Sequence, residues 1–160
     1  MDALEIAMKM EQDGEIFYRE LAKNAMNPGF REIFTQLAED EAAHYQHFKS
    51  MQSVPEQVRE TAVLKNAGNI FKEMIAKDEL KNLDPSQLEL YQKAMETEKK
   101  SQDFYLAKAA DVQDKNQSEL FTKIAREEEK HYFLLHNIFE MVLRPANWVE
   151  NGEFVHLEEY

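Results

Sequence analysis

Read at a helical period, the chain carries two long apolar stripes, and the same polar pair interrupts each of them. Phe34, Leu37, Ala38, Glu41, His44, Tyr45 and Phe48 share one helical face, as do Phe121, Ile124, Ala125, Glu128, His131, Tyr132 and Leu135. A face that turns toward a core should be apolar throughout, because an unpaired buried charge is strongly unfavourable. Here a Glu and a His stand three residues apart, so both side chains can point at one object. The intrusion recurs at a spacing of 87 residues, which marks it as purposeful.

The surrounding pattern predicts four long helices. Asp2 is a good N-cap for a first helix running to about Met26, and Asn27-Pro28-Gly29 breaks it. A second helix follows at once and ends near Ser50, making an antiparallel hairpin. Between Met51 and Asp84 the pattern weakens. Pro55 and Gly68 punctuate that stretch, and Ile70, Phe71, Met74 and Ile75 predict a short amphipathic helix within a long crossover, residues 51–84. Asp84-Pro85 reads as an N-cap with proline in the first position, opening a third long helix to about Ala110. The polar turn DVQDKN leads to a fourth, which ends at Arg144-Pro145. Residues 1–144 then form one all-α domain, with 145–160 a tail of mixed character.

The two hairpins are copies. Residues 4–50 align with 91–137 without a gap, and 13 of the 47 pairs are identical, six in the first helices and seven in the second. Glu11/Glu98 and Tyr18/Tyr105 repeat on the first helices, and Glu41/Glu128 and His44/His131 on the second. Each first helix thus offers one inward Glu and each second helix an inward Glu-x-x-His. In four-helix bundles with one long connection, that set builds a di-metal carboxylate site between facing helices. The expected ligands are Glu11, Glu41, His44, Glu98, Glu128 and His131. Buried salt bridges do not explain the pattern, because the stripes hold no Lys or Arg. Four carboxylates balance two divalent ions, with one imidazole for each. This donor set suits iron or manganese, zinc less specifically, and copper(I) poorly.

Other polar residues separate from this set by their place in the repeat. Tyr18 and Tyr105 each fall near a ligand Glu, where a hydroxyl can bond the carboxylate from behind. His47 is matched by Leu134 and His136 by Lys49, so both are expected at the surface. Glu153-x-x-His156 lies outside the repeat and reads as a chance match. The eight Met read as core filler, and of the run from Arg126 to Lys130 only Glu128 is expected to turn inward.

Composition narrows the picture further. Only 4 Gly and 4 Pro in 160 residues favour helix. No cysteine is present, which excludes disulfides, thiolate metal sites and cysteine nucleophiles. A formal charge of -12 argues against nucleic acid or an anionic membrane as partner. The opening MDALEIAMKM has no secretory pattern and no stretch is greasy enough to span a bilayer, so a cytoplasmic protein is expected.

KMEQDGEIFYRELA and METEKKSQDFYLAKA, together with EDEAAHYQHF and REEEKHYFLL, resemble the rubrerythrin-type members of the ferritin-like superfamily. The likeness covers about residues 4–143, and the phrase WVENGEFVHLEEY is similar to rubrerythrin-like endings. It implies a ferritin-like four-helix bundle, a di-iron site, reduction of hydrogen peroxide or dioxygen, a part in oxidative-stress defence and a homodimer. The same six residues match the family's ligand motif. Two departures stand out. Rubrerythrins append a rubredoxin domain with four iron-binding cysteines, and without cysteine this chain needs a separate electron-donor protein. They also carry a further Glu three residues beyond the third helix's ligand, where this chain has Ser101, matched in the first hairpin by Gly14. A ferritin-like storage subunit and a non-catalytic bundle stabilised by metal are the alternatives.

Overall fold

Helix capping sets the boundaries. In the computed structural model, which describes residues 2–50, 58–152 and 157, six α-helices and two 3-10 turns appear, and no strand is found among the described residues. Helix α1 spans Ala3–Asn24, and Asp2 Oδ1 accepts from the Glu5 amide at 2.9 Å. Helix α2, Pro28–Ser50, starts with Asn27 Oδ1 accepting from the Phe30 amide at 3.1 Å, so the breaker between the helices is also a cap. Helix α3 is Val63–Ala76. Asp84 caps the 3-10 turn Pro85–Gln87, which hands on directly to α4, Leu88–Asp111. Asp114 caps α5, Lys115–Leu143. Pro145 then stands first in a short helix α6, Pro145–Asn151.

Fold class agrees with the sequence expectation: an all-α bundle of two hairpins. The hairpins α1–α2 and α4–α5 are tightly packed within themselves, while α2 approaches α5, and α1 approaches α4, more sparsely. The wider separation between hairpins is where inward polar side chains fit. The apolar core is accordingly split. One cluster, including Leu21, Phe34, Leu37, Leu134 and Ile138, fills the end covered by α3 and α6. The other, including Ala7, Phe48, Phe121 and Ile124, fills the opposite end. The polar pairs of the two stripes form a layer between them.

Three details differ from the sequence reading. The stretch after Pro145 begins as a helix whose Trp148 is buried edge-on against Phe71, with ring centroids 5.4 Å apart. The Trp148 indole N–H also donates to Asn137 Oδ1 at 2.9 Å, which fastens α6 onto α5. Glu127 is buried as well as Glu128, so two residues of the acidic run turn inward, not one. Met74 and Met141 are core residues, but Met26, beside the α1–α2 turn, is 84% exposed. His47 and His136 are part-exposed, as expected. Pro55 and the Glu153-x-x-His156 pair lie outside the described residues.

Gly29 is required by the approach of α3 to α2. A Cβ at this position would stand 2.6 Å from Ile70 Cγ2, a methyl fixed directly to the Ile70 Cβ. Gly29→Ala, a change that ordinarily favours a helix, is therefore expected to destabilise the fold by about 1–3 kcal/mol. Ile70→Leu, which lacks that branch, should recover part of the loss in the double variant. Chemical denaturation of the four proteins checks the coupling, and additive losses would rule out the contact as the cause.

Candidate metal centre

All six expected residues meet in the polar layer, and each is at most 3% exposed. Ligand atoms of Glu11, Glu41, His44 and Glu128 lie within 4.8 Å of one another, and so do those of Glu41, Glu98, Glu128 and His131. Glu41 and Glu128 belong to both groups. The two imidazoles stack with centroids 5.8 Å apart and planes 18° from parallel. Both turn Nδ1 inward. His44 Nδ1 is 3.0 Å from Glu128 Oε1 and 3.5 Å from Glu11 Oε2. His131 Nδ1 is 3.1 Å from Glu41 Oε1 and 3.4 Å from Glu98 Oε1.

The layer is poorly satisfied by protein groups alone. Glu11 Oε2, His44 Nδ1, Glu98 Oε2 and Glu128 Oε1 are buried without a hydrogen-bond partner of proper geometry. Buried polar atoms are rarely left so, and four of them converging on one volume fit a site that holds cations. The donor chemistry fits too: oxygen and imidazole nitrogen with no sulfur. These residues could hold two adjacent divalent ions, with Glu41 and Glu128 common to both groups.

The tyrosines cross between hairpins. The Tyr18 hydroxyl on α1 donates to Glu98 Oε1 on α4, and the Tyr105 hydroxyl on α4 donates to Glu11 Oε1 on α1 at 2.7 Å. Burial, reinforced by the facing Glu98 and Glu11 charges respectively, raises both phenols well above 10.0, so both stay protonated.

Electrostatics divide the carboxylates into two kinds. Burial first, and then the charges of the other glutamates, raise Glu41 and Glu128 well above the ordinary 4.5. Burial alone would raise Glu98 as well, but the charge on His131 and hydrogen bonds with Glu128, His131 and Tyr18 together outweigh it and bring this carboxyl down to about 2. Burial disfavours a charged His131, yet Glu98 and a hydrogen bond to Asp40 more than reverse that and lift it well above 6.5.

Two further residues escaped the sequence reading. Asp40 Oδ2 is 2.9 Å from His131 Nε2, on the side of the ring away from the centre. Glu127 occupies the equivalent position in the other repeat, is 4% exposed, and feels the charge of His44. The signal was present, since both positions are acidic at the constant spacing and directly precede a ligand Glu. A cavity of about 240 Å³ reaches the centre between α1 and α4, lined by Gly14, Tyr18, Glu41, Glu98, Ser101 and Glu128. A Cβ on Gly14 would sit 3.1 Å from Glu41 Oε2.

A four-helix bundle of two repeated hairpins, with four Glu and two His buried at its centre, is an arrangement able to hold metal, of the kind that di-metal carboxylate bundles use. The profile of the family described as Rubrerythrin matches residues 2–139, and the chain belongs to that family. Neither the search of curated proteins nor that of solved structures returned a match. No described helix is long and apolar enough to cross a membrane.

These charges make metal-free stability depend on pH in a definite sense. Glu41 and Glu128, raised in the folded state, contribute stability that is complete below 4.5 and is lost as pH rises through their raised values. His131 acts the same way, with its contribution lost above 6.5. Glu98 works oppositely, but only strong acid, approaching about 2, removes its contribution. The melting temperature of chelated protein should therefore fall as pH rises from about 5 through neutrality. Added Mn²⁺ should raise it most at the alkaline end, where fewer protons must be displaced. A chelated protein that grows more stable with rising pH over that range would contradict this assignment.

Proposed function

We propose that the protein is a cytoplasmic di-iron oxidoreductase that reduces hydrogen peroxide, and dioxygen more slowly, with electrons from a separate donor protein. What supports the reading is the pair of overlapping ligand groups sharing Glu41 and Glu128, which could hold two ions side by side within one buried layer. Two ferrous ions held there supply together the two electrons that cleavage of an O–O bond consumes.

The remaining work falls to the chain's own residues. Gly14 and Ser101 leave the cavity between α1 and α4 open to a small molecule such as peroxide. Reduction of peroxide to water also needs two protons. Tyr18 and Tyr105 hold a proton each, aimed at Glu98 and Glu11, and these terminal carboxylates can relay it toward the cavity. Apolar clusters above and below keep bulk water out, which strengthens every interaction within the layer. We assign a homodimer as the working assembly, and size-exclusion chromatography distinguishes it from the shell that iron storage requires.

Anaerobic stopped-flow mixing of the diferrous protein with each oxidant tests the reaction. Hydrogen peroxide is expected to oxidise it faster than dioxygen does, with two metal ions measured per chain. Equal rates, or a faster reaction with dioxygen, would reject the peroxidase reading, and inertness toward both would favour a metal that serves structure alone. Tyr18→Phe should lower the peroxide rate by about 10–100-fold while metal content stays unchanged.

A further inference from the structure

Asp40 is itself held from outside the bundle. The Thr61 hydroxyl, just before α3, donates to the same Asp40 Oδ2 that faces His131. Thr61 Oγ1 in turn accepts from the Val63 amide, the first residue of α3, at 3.1 Å. Because that lone pair is engaged, the hydroxyl proton is directed at Asp40. Asp40 is an acceptor only, so a neutral His131 must carry its proton on Nε2 and present the Nδ1 lone pair to Glu41 and Glu98. The start of α3 thus reaches the centre through one file of hydrogen bonds.

Among the described residues, His44 has no such file. The repeat-equivalent carboxylate is the longer Glu127, which feels the charge of His44 and whose oxygen lies 3.6 Å from Lys130 Nζ. The position 87 residues beyond Thr61 is Trp148, whose indole is spent on Asn137. The repeat makes the inward ligands equivalent, and the crossover makes their supports unequal.

We propose that Thr61 is a positioning residue that acts through Asp40 on His131, so that the position formed by Glu41, Glu98, Glu128 and His131 binds its ion more tightly and fills first. Preorganisation of a ligand ring by an outer hydrogen bond changes metal affinity by about 10–100-fold, enough to separate two otherwise matched sites. The inference rests on the six residues being metal ligands.

Anaerobic titration with Co²⁺ at neutral pH, followed by the visible bands and by calorimetry, separates the two claims. Wild-type protein should bind two ions in two resolved steps. His131→Ala should abolish the tighter step and His44→Ala the weaker one, which assigns them. Thr61→Val keeps the shape but removes the hydroxyl, and should weaken the tighter step about tenfold while moving the weaker one less than about twofold. Thr61→Ser should restore it, and Asp40→Asn should reproduce the selective loss. Equal weakening of both steps by Thr61→Val, an unmoved tighter step, or no rescue by Thr61→Ser would overturn the role of Thr61. A wild-type protein that binds fewer than two Co²⁺ would overturn the di-metal reading, and the inference with it.

Discussion

Mutual repulsion among Glu11, Glu41, Glu98 and Glu128, confined to one layer between two apolar clusters, is the constraint on which the rest of the molecule depends. Four carboxylates at that spacing cannot all be ionised in a medium of low dielectric. No Lys or Arg enters the layer, so the balancing positive charge has three sources: protons on Glu41 and Glu128, a charged His131, or cations from outside. The first two sources leave Glu11 Oε2, Glu98 Oε2 and His44 Nδ1 without proper partners. Cations satisfy them together. The fold is thus arranged around a charge that its own side chains do not neutralise. Apolar residues of similar volume would pack the layer with less penalty, which is why its retention points to chemistry and not to stability.

Duplication solves half of this problem and leaves the other half to the crossover. Each hairpin contributes one Glu and one Glu-x-x-His, and neither can complete a site alone. The tyrosines show how the halves are interlocked, because each bonds the glutamate of the opposite hairpin. That crossed pairing ties α1 to α4, which otherwise approach each other sparsely. The outer shell does not follow the repeat. Asp40 and Glu127 differ by a methylene, and among the described residues only Asp40 is met by a hydroxyl from the crossover. Equivalent ligands in unequal surroundings are a route by which a duplicated sequence acquires two distinct metal positions.

The architecture was readable in the sequence because its signals are local. Asp2, Asn27-Pro28 and Asp114 act through neighbouring amides, and the ligand pattern shows itself on a single helical face. What the sequence hid depends on contacts between elements. Proline after Arg144 reads equally as the end of one helix or the first position of the next, and only the docking of Trp148 on Phe71 decides it. The partner choice of Tyr18 is another case: periodicity places it beside a ligand Glu but does not say in which hairpin. Glu127 was masked by its neighbours, since a run of five charged residues looks like a solvated face until α2 is packed against it. Asp40 and Glu127 were nevertheless marked by the same spacing that revealed the ligands.

Gly14 and Ser101 complete the division of labour between the two sides of the centre. Glycine in the middle of a helix costs about 1 kcal/mol relative to alanine. Here a methyl group would press on Glu41 Oε2 at 3.1 Å, so the carboxylate would have to give by a few tenths of an ångström to admit it. The repeat places the small Ser101 at the equivalent position, and between them lies the cavity that reaches Glu41, Glu98 and Glu128. On the opposite side of the layer, Asp40, Thr61 and the start of α3 hold the His131 ring from behind. One side therefore has room for carboxylates to shift and for a small molecule to approach, while the other fixes a nitrogen ligand. A centre required to exchange small molecules without losing its ions needs both properties at once, and a bundle can supply them because its opposite faces are built from different helices.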